Sequence, residues 1–99
     1  MPLSRDTIKR YRNIGHDLKP VVTISENGLS EGLLAELDRA LNDHELIKIK
    51  LAIGDRDARK SICAEACEHA KAEIVQEIGK VALIFRESAK PKLKTSNIR

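Results

Sequence analysis

The sequence predicts an α/β domain of element order α-β-α-β-α-β-β, in which a mixed four-stranded sheet is packed by helices. Three observations carry this. In ELIKIKLAI, residues 45–53, Ile47, Ile49, Leu51 and Ile53 alternate with Lys48, Lys50 and Ala52, the period-two signature of a half-covered strand. Leu33, Leu34, Leu37 and Leu41 instead recur at helical spacing. The apolar runs AEIVQEI and VALIFR are joined by Gly79-Lys80, and a two-residue connection with Gly first suits a type II′ hairpin.

Taken in order, Ser4 is an N-cap for a first helix reaching about Leu18, with Ile8, Tyr11, Ile14/Gly15 and Leu18 on its apolar side and Arg5, Lys9, Arg10 and Arg12 mostly outside. Pro20 biases the preceding residue away from helix and sets the stop near Asp17–Lys19. Val21–Ile24 is a short β-branched strand. Ser30 caps the second helix, with Glu31 favourable in its first turn and Asn42–His44 at its end. After the 45–53 strand, Gly54 is a break and Asp55 caps a third helix to about Lys71, with Ala58, Ile62, Cys63, Ala66 and Ala70 on one face. Strand–helix–strand units imply parallel pairs, and the closing hairpin adds an antiparallel strand. Residues 1–87 form the expected domain. Residues 88–99, basic and without period, read as a flexible tail.

Ninety-nine residues suffice for one domain, and 41% hydrophobic residues suffice for its core. No stretch approaches the ~20 apolar residues of a membrane helix or resembles a signal peptide's apolar centre, so a cytoplasmic protein is expected. The net charge of +3 is unevenly spread: residues 1–20, 47–60 and 80–99 carry +3, +3 and +5, against −5 for 21–46 and −3 for 61–79. Such segregation suggests basic and acidic surfaces on opposite sides, able to steer a polyanion onto one of them.

Enzyme chemistry is not expected. His16, His44 and His69 are scattered away from any obvious nucleophile, and neither a P-loop nor a dinucleotide fingerprint is present. Cys63 and Cys67 share a helix face and could share a metal, but a closed zinc site needs four ligands and no second pair exists at suitable spacing. Both therefore read as small packing residues, and neither metal nor cofactor is expected.

The turn Ser25-Glu26-Asn27-Gly28 admits two readings. It is an ordinary reversal, or it seats a phosphate at the following helix start, where free N–H groups and partial positive charge gather. Its neighbours favour the second, because Lys19, Lys48, Lys50, Lys80 and Arg86 all carry the same sign around it.

HDLKPVVTISENGLSEGLLAELDRALNDHELIKIKL, followed by VQEIGKVALIFR, resembles the CRM domain, named for chloroplast RNA splicing and ribosome maturation, and in particular the small stand-alone bacterial proteins of the YhbY type. The likeness spans roughly residues 3 to 90. It implies a fold similar to the C-terminal domain of translation initiation factor three. It also implies RNA binding: bacterial members are associated with precursors of the large ribosomal subunit, and plant relatives with group II intron splicing. The family's Gly-x-x-Gly loop, likened to that of KH domains, falls on Ser25–Gly28, with Ser25 in place of the first glycine. Lys19, Ser25, Asn27, Gly28, Ser30, Lys48, Lys50, Lys80 and Arg86 are the expected RNA-binding residues. The expected protein is a monomer that binds ribosomal RNA without enzymatic activity, with no membrane or small-molecule partner. The alternative is a protein-interaction module docking an assembly factor or ribosomal protein.

Overall fold

A computed structural model describes residues 3–98. Its elements follow the expected order: α1 (Arg5–His16), β1 (Pro20–Ser25), α2 (Glu31–His44), β2 (Leu46–Ala52), α3 (Arg56–Ala70), β3 (Glu73–Ile78) and β4 (Val81–Phe85). Each helix begins at its expected cap. The side chains of Ser4, Ser30 and Asp55 accept from the N–H groups of Thr7, Leu33 and Ala58, respectively. Lys71, in the left-handed region at φ 57°, closes α3.

The strands lie in the order β1-β2-β4-β3. β1 and β2 pair in parallel through the α2 crossover, while β4 pairs antiparallel with both β2 and β3. The last strand in sequence is therefore inserted next to the centre of the sheet. Among the described residues flanking the hairpin, Gly79 has positive φ and Lys80 does not, the sign pattern of a type II′ turn.

Alternation along the strands divides the apolar residues between two faces. Val22, Ile24, Ile47, Ile49, Leu51, Ala82 and Ile84 point into the main core beneath α2 and α3, which contribute Leu37, Leu41, Cys63 and Ala66. Leu46, Leu83 and Phe85 point the other way, against Tyr11 of α1. The rings of Tyr11 and Phe85 meet with centroids 4.9 Å apart, a tilted contact of the favoured kind.

α1 comes close to β4 because Gly15 carries no side chain. A Cβ there would lie 2.5 Å from Cδ2 and 2.7 Å from Cδ1 of Leu83, which is itself buried.

The C-terminal segment does not match the expected flexible tail. Residues 88–98 fold back on the C-terminal end of α2 and are held by specific bonds. Glu45, fully buried, is the anchor: its carboxylate accepts from the Ser88 N–H and the Ser96 hydroxyl, each at 2.9 Å, and its carbonyl accepts from the Arg86 N–H. Asn97 donates through its backbone to the His44 carbonyl and through its side chain to the Leu46 carbonyl. Ile98 packs on the Tyr11 cluster. Lys92 pairs with Asp43, and this ammonium holds the Asp43 carboxyl below its ordinary value. The physical reason is that a helix end exposes carbonyls needing donors, and this segment is rich in them. Hydrophobic period is not required for that kind of docking.

Two stability outcomes follow from these contacts. Gly15→Ala gains up to about 1 kcal/mol of helix propensity but meets Leu83, an overpacking cost of about 1–3 kcal/mol, so urea denaturation should show a net loss. A chain ending at Glu87 removes two donors from a buried carboxylate and should lose at least about 1–3 kcal/mol in the same assay. An unaltered urea midpoint would show that the docked segment contributes no stability.

Candidate nucleic-acid interface

The turn between β1 and α2 is closed by the Gly28 N–H donating to the Ser25 carbonyl at 3.0 Å. Gly28 sits at φ +82°, and an added Cβ would meet nothing within 4 Å, so backbone conformation rather than space dictates glycine here. Ser25 belongs to β1 and is not among the described residues with positive φ, so this position does not require a glycine. Its hydroxyl accepts from the Asn27 N–H at 3.3 Å. Glu26 is turned aside, accepting from the Gly54 N–H at 3.3 Å. Ser30 uses its hydroxyl as the α2 cap, taking the Leu33 N–H at 3.1 Å. Among the described residues nothing accepts from the N–H groups of Glu31 and Gly32, and both residues are exposed.

Strand register relates this turn to the lysines. Lys50 lies between Thr23 of β1 and Val81 of β4, and Lys48 between Pro20 and Leu83. Both lysines therefore project on the α1 side of the sheet, Lys50 exposed and Lys48 half-buried. Ser25, two residues beyond Thr23, shares that side. Lys80 lies at the same end of the sheet as the turn, its carbonyl accepting from the Leu51 N–H. Lys19 precedes Pro20 at the opposite end of β1 and is exposed.

Arg86 does not join this group. Its guanidinium donates to the Asp38 carboxylate at 2.7 Å, the Ala70 carbonyl at 2.9 Å, the Asp38 carbonyl at 3.0 Å and the Asn42 side chain at 2.8 Å. It ties the C-terminal half of α2 to the end of α3 beyond the end of β4, at the far end of the sheet from Gly28. The sign of its charge suggested a phosphate, but carbonyls and a carboxylate already occupy its donors.

A groove of about 840 Å³ runs between α1 and the sheet. Arg5, Lys9, Arg12 and His16 form one rim and Lys48 faces them. Ile8, Ile78, Val81 and Leu83 supply an apolar floor. Among the described residues none of Arg5, Lys9, Arg12 or Lys48 has an ion-pair partner. In the sequence Arg5, Lys9 and Arg12 read as part of the outer, basic side of the first helix, yet none of these three, nor His16, is among the expected RNA-binding residues. Their spacing of four, three and four residues, which sets them on one helix face, was the available signal.

Cys63 and Cys67 are buried in the main core, where their mutual hydrogen bond and burial push the Cys67 thiol up. Among the described residues no group of three or more His, Cys, Asp or Glu is placed to hold a metal ion. No helix among them is long and apolar enough to cross a membrane.

Comparison with known proteins agrees with this architecture. The family model of the CRS1 / YhbY (CRM) domain matches residues 3–86. The chain is 52% identical to the probable RNA-binding protein PA4753 of Pseudomonas aeruginosa over 98 residues, covering 99% of this chain and 94% of that one. It is 43% identical to an RNA-binding protein of Haemophilus influenzae over 82 residues, covering 83% of each. The solution structure of the hypothetical protein SAV1595 from Staphylococcus aureus superposes with a TM-score of 0.79 at 28% identity, covering 93% of this chain and 96% of that one.

Proposed function

The chain belongs to the CRS1 / YhbY (CRM) domain family, and from that premise we propose that it is a non-enzymatic RNA-binding protein. Its target in this reading is ribosomal RNA in precursors of the large ribosomal subunit, bound by a cytoplasmic monomer during ribosome assembly. One observation supports the binding mode above others. Lys48, Lys50 and the cations of α1 share a side of the sheet with Ser25, where the Gly28 turn and the open start of α2 begin.

Positive charge on that side gathers RNA by long-range attraction and by counterion release. The turn and the free N–H groups of Glu31 and Gly32 then position one backbone segment. Asn27 lies at the tip of the turn, Ser25 keeps its hydroxyl proton for donation, and Lys19 and Lys80 extend the positive surface toward either end of the sheet. Both aromatic residues are buried: Tyr11 and Phe85 face each other and leave no stacking platform. The bulk of the contact is therefore made to phosphates and RNA shape.

With about five phosphates neutralised, log affinity for ribosomal RNA fragments should fall against log salt with a slope of about −3 to −4. A flat salt response removes the electrostatic mechanism. Lys48→Glu with Lys50→Glu should weaken binding strongly and flatten the slope while circular dichroism stays native. Wild-type affinity in that folded variant would mean that RNA docks elsewhere.

A further inference from the structure

Phosphate attraction explains the rim of the groove beneath α1 but not its floor. A duplex backbone resting on Arg5, Lys9, Arg12 and Lys48 would leave Ile78 and the half-buried Ile8 and Val81 facing water. Ile78 is 64% exposed, one of few large apolar side chains so open among the described residues. An apolar hollow ringed by unpaired cations matches a ligand with a flat, weakly polar body and an anionic attachment. Two further lining residues, Asn13 and Gln76, carry side-chain amides that make no hydrogen bond among the described residues. Each amide offers a donor pair and an acceptor, the groups that read the edge of a base. At about 840 Å³ the groove falls within the ~300–1,000 Å³ of small-ligand sites, room for a base with its ribose and phosphate.

Resting on the RNA-binding reading above, we propose that this groove takes a single unpaired nucleotide of the bound RNA. Its base lies on the Ile8–Ile78–Val81–Leu83 floor, its edge meets Asn13 and Gln76, and its phosphate sits on the rim between α1 and Lys48. The nucleotide must be unpaired because a base stacked and paired in an A-form helix offers side chains neither its flat face nor its Watson–Crick edge. Taking a nucleotide out of a helix is least costly where it is already bulged or single-stranded. The site thus adds selection for helix irregularities to an otherwise shape-reading, phosphate-binding surface. It also gives the basic face of α1 a defined ligand, where phosphate steering alone would need only diffuse charge.

The test uses two RNA hairpins of matched stem length, one fully paired and one with a single-nucleotide bulge, titrated with the full chain by fluorescence anisotropy at one salt concentration. The bulged hairpin should bind at least about tenfold more tightly. In the Gln76→Ala/Ile78→Ala double variant that ratio should fall toward one. A readout free of any variant is the side-chain amide signals of Asn13 and Gln76 in nitrogen-15 spectra. These should shift on adding the bulged hairpin and stay in place with the paired one. Equal wild-type affinities, a ratio preserved in the double variant, or amide shifts alike with both hairpins would each overturn the nucleotide site while leaving RNA binding intact. Displacement of the bulged hairpin by poly-glutamate as readily as by unlabelled RNA would assign the groove to an acidic protein partner and also overturn it. Absence of salt-dependent binding to either hairpin would defeat the RNA-binding reading itself.

Discussion

α1 can rest on the sheet only where it does because Gly15 brings no Cβ to its contact with Leu83, and the height of that helix decides nearly everything on its side of the molecule. At this separation Tyr11 reaches Phe85, and the cluster with Leu46 closes over β2 and β4. The same placement turns Arg5, Lys9, Arg12 and His16 toward Lys48. A larger residue at position 15 would lift the helix, loosen the smaller core and widen the groove together. Packing and binding geometry are here one constraint.

The sheet also sorts charge. α2 carries Glu31, Glu36, Asp38 and Asp43, and α3 carries Glu65 and Glu68, all on helices that cover the face opposite Lys48 and Lys50. The separation is not complete. Arg56, Arg59 and Lys60 begin α3, but Arg59 is partly spent on the carbonyls of Ile53 and Gly54. Arg86 is likewise absorbed at the acidic end of α2. An approaching polyanion is thus turned toward the α1 side by attraction there and by repulsion from the helical side.

Local order was readable wherever a single residue carried the physical reason. Ser4, Ser30 and Asp55 marked their helix starts, and the Ile/Lys alternation marked β2 with its faces assigned. Gly28 was readable as a turn residue, although not its φ, and nothing in the sequence showed that Ser25 would sit in strand rather than left-handed conformation. Strand order was not readable, since placing β4 between β2 and β3 depends on pairing between distant segments. Arg86 and the C-terminal segment misled for a shared reason. A charge or a polar run looks solvated until the carbonyls of a helix end and one buried carboxylate, Glu45, are seen to claim its donors. Glu45 itself resembles any surface glutamate in the sequence.

The position of β4 bears on how the chain is made. Synthesis delivers β1, β2 and β3 first, yet none of these can complete the sheet, because the strand that joins β2 to β3 emerges after all of them. The segment that satisfies Glu45 comes later still. A nascent chain can therefore pair β1 with β2 early, but it holds the other edge of β2 open until β4 emerges, and the two antiparallel ladders that join β2 to β3 then form together.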